Sequence, residues 1–214
     1  MNNTKSRFFT GSMIVTRINM IANMLGLIVG SIPFLYLGCP IFQEKPKIIH
    51  FRMITYKIRN KLATSKGTIL SIMGRVQLVK LIIHGMLVYS FHVYFWPKRL
   101  LHLLDSWIKT IIWSDDVFTK KVCTVSWKVM CRPWSEGRLD IKPRGFINEA
   151  LILKLTWIAK ESQWSSLVKW RYFSNGKPIM HYFKSSVWPG IKLQIGTIME
   201  YSLWIVGTGE RIHF

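Results

Sequence analysis

The residues from Lys45 to Leu104 contain eleven lysines and arginines but no aspartate or glutamate. Surface helices usually mix both signs, because like charges four residues apart destabilise a helix by about 0.2–0.5 kcal/mol per pair. Within this basic segment, apolar residues recur at three- and four-residue spacing, which predicts an amphipathic helix with one buried stripe, formed by Phe51, Ile54, Ile58 and Leu62. The segment must therefore fold with its apolar stripe inward and its cations available to an external anion.

Two further helices are predicted after this one. The second begins near Thr68 as its N-cap, since apolar residues recur at helical spacing over 76–87. The third begins at Pro97, a residue suited to a first helical turn, and its apolar residues again lie on one side. Three consecutive helices predict a small bundle. Amphipathic helices are also predicted over 148–160 and 163–172, so the expected fold class is mainly α.

Other segments predict little regular structure. Polar and apolar residues alternate over 122–129, which predicts a short extended or β connection. Beyond Ser174 the glycine and proline content rises, which predicts an irregular, loop-rich tail.

The run from Ile18 to Gln43 has no charged residue and has the length of a membrane span. Several glycines, with Pro33 and Pro40, interrupt it, so we predict a short helix over 17–25 followed by buried extended segments that these prolines break. The residues 81–96 are apolar on nearly all sides, which favours a central, enclosed helix. We therefore do not expect a membrane partner.

The overall composition indicates a polyanionic partner. Thirty lysines and arginines against ten acidic residues give a formal charge of +20, and half of the chain is hydrophobic, enough for a folded core. Nucleic-acid phosphate is the commonest such partner, and an anionic membrane surface is the rival. Cys39, Cys123 and Cys131 form neither an even-numbered disulfide framework nor a zinc-ligand spacing. With no signal-peptide pattern at the start, we expect an intracellular location, nucleus or cytoplasm, rather than secretion.

Five sequence phrases carry a resemblance to a known family: SIPFLYLGCPIF (31–42), KGTILSIMGRVQLVKLIIHGMLVYSFHVYFWP (66–97), SWIKTIIWS (106–114), VSWKVMCRPWSEG (125–137) and INEALILKLTW (147–157). In order and spacing they are similar to the thumb and post-thumb region of plant LINE-type non-LTR retrotransposon reverse transcriptases. The similarity extends across nearly the whole chain. It implies a fragment of an RNA-directed DNA polymerase in which the catalytic palm is missing.

The resemblance implies four regions along the chain. Residues 1–43 correspond to the end of the palm and its connection to the thumb, and residues 44–114 to a basic, thumb-like helical bundle. Residues 115–173 correspond to a post-thumb connector with helices. Residues 174–214 correspond to a loop-rich tail, which in the family leads toward a zinc-binding module that this chain does not contain.

Nucleotide addition requires carboxylates that hold two metal ions. The family carries them on palm segments that are absent here, and the pair Asp115-Asp116 follows a predicted helix end, where it resembles a turn. We therefore expect no catalytic residue, no metal and no cofactor in this chain, with Mg²⁺ needed by the intact family polymerase. Whether the chain counts as an enzyme is left open.

One motif departs from the family pattern. A Gly-Gly-Leu-Gly sequence usually stands where this chain reads Gly137-Arg138-Leu139-Asp140. Any left-handed turn required there would be strained by roughly 1 kcal/mol or more at a residue other than glycine. This departure hints at a decayed copy.

Two functional classes remain. In the first, the chain binds an RNA/DNA template–primer duplex through phosphate contacts, alone or with a palm encoded separately; the candidate contacts are Arg52, Lys57, Arg59, Lys61, Lys66, Arg75 and Lys80. For each of these side chains the alternative is a solvated helix flank. In the second class, the chain is a membrane-associated or non-functional, aggregation-prone polypeptide from a decayed retroelement, because its apolar runs would be exposed without a palm.

Overall fold

The computed structural model describes residues 6–11, 13–65, 69–114, 125–158, 163–175, 177–181 and 183–202. Over these residues the protein is mainly helical, with a few very short strands, which confirms the expected fold class. Lys66, Thr68, Cys123 and the pair Asp115-Asp116 lie outside the described residues.

The N-terminal region holds one helix and four short strands. Strands β1 and β2 pair in parallel on either side of helix α1, and β3 and β4 form an antiparallel hairpin; the bounds are β1 Arg7–Phe9, α1 Val15–Leu25, β2 Ile28–Gly30, β3 Phe34–Tyr36 and β4 Cys39–Ile41. The predicted helix over 17–25 is confirmed. The hairpin turn at Leu37 and Gly38 has positive φ at both residues, 49° and 79°, as a two-residue turn of this kind requires.

The expectation of buried extended segments here was wrong in two respects. Most strand residues are exposed or half-buried, and burial is confined to the end of the hairpin, at Cys39, Pro40 and Phe42. Pro40 does not break the chain direction but lies inside β4, opposite Leu35. A two-stranded hairpin tolerates proline because each strand has a free edge on which the missing N–H costs nothing.

Three long helices form the bundle predicted from periodicity: α2 Ile48–Thr64, α3 Ile72–Val93 and α4 Lys98–Ser114. The predicted stripe of α2 is confirmed, since Phe51, Ile54, Ile58 and Leu62 are all buried. Helix α3 begins later than predicted. Its N-cap is Ser71, whose hydroxyl oxygen accepts the N–H of Gly74 at 3.2 Å.

Helix α3 is the helix among the described residues that is long and apolar enough to cross a bilayer. It packs against α2 and α4, as expected of a core helix, and also against α6, which spans Arg144–Ile158. One side nevertheless remains open, where Leu81 is 73% exposed. Helix α3 is therefore central to the bundle, but the expectation that it is enclosed was wrong for this side.

Aromatic rings fill the end of the bundle where α3 gives way to α4. Phe51 of α2 contacts Phe42, Tyr94 and Trp96, with ring centroids 5.7, 5.9 and 4.3 Å away, respectively. Phe51 and Trp96 have no solvent exposure. Such rings bury large areas, so this cluster contributes strongly to the stability of the bundle.

The predicted extended connection was wrong where the structure describes it. Residues Trp127–Met130 form a single helical turn, α5, which ends before the 3₁₀ helix Trp134–Glu136. The alternation that predicted a strand is also compatible with one turn of helix, because four residues are too few to separate the two periods.

The expectation of an irregular tail was wrong for its longest part. After α7 (Gln163–Tyr172) and a small hairpin of β5 (Phe173–Ser174) with β6 (Lys177–Pro178), residues Trp188–Tyr201 form helix α8. Pro189 lies in its first turn, where proline is favoured rather than disruptive. Gly190 lets α8 approach closely, since a Cβ there would lie 3.2 Å from side-chain atoms of Ile152 and Phe95.

Helix α8 completes a second, smaller core. The rings of Tyr172 and Trp188 stack with centroids 4.5 Å apart and planes within 3°. The Tyr172 hydroxyl lies 2.9 Å from the Ser185 hydroxyl, and the Ser185 oxygen also accepts the N–H of Trp188. Helix α8 packs on α6, and α6 packs on α3 and α4, so both cores share α6.

Candidate nucleic-acid interface

Four of the seven candidate contacts lie together on α2. Arg52 and Arg59 are seven residues apart, two helical turns, and therefore lie on the same flank of the helix. Lys57 and Lys61 lie on the opposite flank, because five residues at about 100° each place Lys57 about 140° around the axis from Arg52. All four side chains are exposed. The helix thus carries two rows of cations on either side of its outer face.

Apolar side chains occupy the face between these rows. Ile49, Met53 and Tyr56 are 61%, 57% and 61% exposed. The outer face of α2 is therefore not a fully charged surface but an apolar strip with a basic edge on each side.

The guanidinium of Arg59 is held toward α4. Its central carbon lies 6.0 Å from the ring centroid of Trp107, within the range of a cation–π contact. Because Arg59 remains exposed, this contact restricts the direction of the side chain without removing its charge from solvent. Its position is consequently better defined than that of a freely rotating surface arginine.

The other three candidates are not brought into these rows. Lys80 and Arg75 lie on α3 and are only half-buried, and Arg75 is engaged in contacts within the protein. Lys66 lies outside the described residues. Phosphate binding by these seven side chains stays a prediction, with the α2 rows as its best-defined part.

Sequence reasoning missed the buried polar side chain that holds the end of α3. Asn148 of α6 has no solvent exposure; its Oδ1 accepts the N–H of Trp96 at 2.9 Å. Its Nδ2 donates to the carbonyl oxygens of Phe91 and Tyr94, at 3.1 and 2.9 Å. These three bonds satisfy the main chain where α3 ends. The available signal in the sequence was the position of Asn148, a polar residue on the apolar side of the helix predicted over 148–160.

A second buried polar contact joins α4 to the start of α6. Asp105 Oδ1 accepts the backbone N–H of Arg144 at 3.1 Å, and the Arg144 Nε lies 3.9 Å from the same oxygen. Burial raises the pKa of the Asp105 carboxyl, although Arg144 opposes the shift. Burial also lowers the pKa of the Arg144 guanidinium, against the attraction of Asp105. The pair fixes the register of α6 against the bundle.

Acidic groups in the described part of the chain do not converge. Glu44 pairs with Lys47 at 2.6 Å, Glu136 lies 3.6 Å from Arg132, and Asp105 is buried with Arg144. Among the described residues no group of three histidine, cysteine, aspartate or glutamate side chains could hold a metal ion.

The comparisons with known proteins do not assign the chain to a family. No family model matches the chain. Over 184 residues it is 26% identical to a protein of Arabidopsis thaliana named "Putative ribonuclease H protein". The alignment covers 82% of this chain but 30% of the Arabidopsis protein, so the chain spans less than a third of its relative's length. By sequence, the chain is thus similar to part of a much longer plant protein whose name denotes a ribonuclease.

Proposed function

We propose that this chain is a nucleic-acid-binding fragment of a retroelement reverse transcriptase, in which α2 lies against the template–primer duplex. The single observation that carries the proposal is the pair of exposed cation rows on α2, in a segment of 60 residues without any carboxylate. Because the segment contributes no acid of its own, the α2 rows give this surface a positive potential, which attracts phosphate.

The arrangement of the rows favours a groove over a single phosphate strand. A helix is about 10–12 Å across with its side chains, so cations on opposite flanks can reach phosphates on both edges of a groove. The apolar strip of Ile49, Met53 and Tyr56 would then face the groove floor. An RNA/DNA duplex with A-like geometry offers a wide, shallow minor groove that suits such a helix.

The similarity to the Arabidopsis protein supports a nucleic-acid partner, since a ribonuclease acts on RNA. It does not assign a reaction to this chain, which spans under a third of that protein. We assign binding to the chain, and nucleotide addition to a palm elsewhere in the polypeptide or encoded separately. The expected location is therefore intracellular, where the element is copied, and Mg²⁺ is required by the polymerase centre rather than by this fragment.

Binding of the whole chain to a labelled RNA–DNA duplex across a salt series tests the proposal. The test variant replaces the α2 rows by Arg52→Gln, Lys57→Gln, Arg59→Gln and Lys61→Gln. The control removes the same charge from exposed residues elsewhere, by Arg17→Gln, Lys154→Gln, Lys177→Gln and Lys184→Gln. Each lost phosphate contact should reduce the slope of log affinity against log salt by about 0.9.

The expected result is a slope reduced by about 2–4 in the α2 variant and little changed in the control. Equal losses in both variants would show that net charge, not the α2 rows, governs binding and would contradict the proposal. Salt-insensitive binding that sediments, or partitions into lipid vesicles, would instead support the membrane-associated or aggregation-prone class.

A further inference from the structure

A groove of about 830 Å³ lies between α5 with the residues that follow it and the first half of α6. Its floor is apolar, formed chiefly by Trp127, Pro143, Phe146 and Ile147. The size falls within the range of about 300–1,000 Å³ that is usual for binding sites of small organic groups. Nothing in the proposed function of α2 uses this groove.

Phe146 is the most informative residue of the groove. It is 69% exposed, although it stands in the first turns of α6 beside an apolar cavity that it could have closed. An exposed ring next to a recess offers a flat face on which a planar group can stack. Trp127 provides a second, half-buried aromatic ring in the same groove.

Cations surround this apolar floor. Lys128, Arg132 and Lys142 line the groove and are exposed. Glu136 lies 3.6 Å from Arg132, with both side chains about half exposed, so it offsets only part of the charge. The backbone N–H of Arg144, at the start of α6, already donates to Asp105, so this N–H is not available to a ligand in the groove. The positive potential of the groove therefore comes from its side chains.

We propose that this groove binds an unpaired nucleic-acid strand, with bases stacked on Phe146 and Trp127 and phosphates held by Lys128, Arg132 and Lys142. Bases supply planar apolar faces and the backbone supplies regularly spaced anions, which matches an apolar aromatic floor with a basic rim. An apolar protein segment would match the floor but would supply no anion to Lys128 and Lys142, or to Arg132, whose charge Glu136 offsets only in part. The inference rests on the proposed function only for the class of ligand, since it concerns another surface and another strand.

A buried hydrogen bond between α4 and α6 fixes one wall of the groove. The buried Asp105 of α4 accepts the N–H of Arg144, the first residue of α6, at 3.1 Å, which fixes the α6 wall of the groove against the bundle. The Cys131 thiol also lines the groove, and burial raises its pKa to about 11, so it stays protonated and unreactive near neutral pH. The chemistry of the site is therefore binding, without a covalent step.

The test measures binding of the whole chain to labelled short oligothymidylate, to an abasic strand of equal length and to the RNA–DNA duplex. Phe146→Ala should weaken oligothymidylate binding about fivefold or more, whereas Phe146→Tyr, which keeps a stacking ring, should bind normally. Trp170→Ala is the matched control, because Trp170 is 83% exposed but lies on α7, away from the groove. Affinity for the abasic strand should not respond to Phe146→Ala.

A second variant tests the rim. Lys128→Gln, Arg132→Gln and Lys142→Gln together should reduce the salt dependence of oligothymidylate binding, and Lys154→Gln, Lys177→Gln and Lys184→Gln together should not. The salt slope of duplex binding should be little changed in both groove variants and reduced in the α2 variant, so the two proposals fail separately. Unchanged oligothymidylate binding in Phe146→Ala, or an equal loss for the abasic strand, would overturn the inference and leave the groove to an apolar protein segment.

Discussion

Helices α1 and α2 are both amphipathic in sequence, but they differ sharply in what covers their apolar side. None of the eleven residues of α1 is buried, and Met24 remains 77% exposed. Five residues of α2 are buried, because α3, α4 and β4 cover its stripe. An amphipathic pattern in the sequence thus predicts an apolar stripe on a helix, but it does not predict whether other elements bury that stripe.

The two helices therefore differ in how much tertiary packing stabilises them. The stability of α2 is set by tertiary contacts, whereas the strand β2 is the chief neighbour of α1 among the described residues. Equivalent substitutions in the two helices should therefore have very unequal effects on the free energy of unfolding.

The largest effect is expected for the aromatic cluster. Phe51→Ala should lower the free energy of unfolding by about 3–5 kcal/mol, because it removes a fully buried ring that contacts three others. Met24→Ala in α1 should change it by less than about 0.5 kcal/mol. Urea denaturation of both variants measures the contrast. Similar losses would show that α1 is packed as firmly as α2, which would contradict the difference between the two helices.

A somewhat smaller effect is expected for the buried amide. Asn148→Ala should cost about 2–4 kcal/mol, because one N–H and two carbonyl groups at the end of α3 lose their partner in the interior. Asn23→Ala, at an exposed position of α1, is the matched control and should be nearly neutral. Hydrogen exchange of the Trp96 amide gives an independent readout, which should accelerate in Asn148→Ala alone.

The buried and exposed carboxyls should respond to pH with opposite signs. Burial raises the pKa of Asp105, so its protonated form favours folding, and this stabilisation is lost as pH rises from the ordinary aspartate value through the raised one. Lys47 lowers the pKa of the exposed Glu44, so its contribution is present above the ordinary glutamate value and is lost as pH falls.

Denaturation in a pH series, comparing native protein with Asp105→Asn and Glu44→Gln, checks these signs. The difference between native protein and Asp105→Asn should decrease as pH rises through the acidic range. The corresponding difference for Glu44→Gln should be small and should increase, since that carboxyl is fully solvated. A common sign for both carboxyls would contradict the assignment of Asp105 as buried.

The smallest effect concerns the backbone at Asp140. Its φ of 46° lies in the left-handed region, at the position where the family motif has glycine. Asp140→Gly should raise the free energy of unfolding by about 0.5 kcal/mol, since glycine adopts this conformation without a steric penalty. Arg138→Gly is the control: Arg138 is not among the described residues with positive φ, so glycine there should be neutral or slightly destabilising. Thermal unfolding of the two variants separates these outcomes.

The bundle could be predicted because its signal is local. The stripe from Phe51 to Leu62 repeats within one helix, and periodicity alone identifies its buried side. The sequence also predicted strain at any left-handed residue of the Gly137 to Asp140 turn other than glycine, and Asp140 has such a conformation, with φ 46°, while Gly137 has φ 69°. The basic flanks of α2 followed from the same periodicity, although their role in binding is still a prediction.

The features that the sequence did not predict depend on contacts between residues far apart in the chain. Pro189 and Gly190 suggested a loop, yet they begin a helix because Gly190 fits against Ile152 of α6. Asn148 bonds to residues more than 50 positions earlier, a distance over which no sequence period operates. The groove beside Phe146 required knowing that α5 and α6 meet. Such features arise from tertiary packing, which overrides local preference.

The bonds of Asn148 also have a consequence during translation, because Asn148 is synthesised well after the residues that it binds. Trp96 leaves the ribosome 52 residues before Asn148, a delay of roughly 3–10 s at ordinary rates of elongation. During this interval the long apolar helix α3 has neither its closing amide nor the cover of α6. A nascent chain therefore keeps the α6-facing side of α3 uncovered for this interval, and slower translation between these two points would lengthen its exposure.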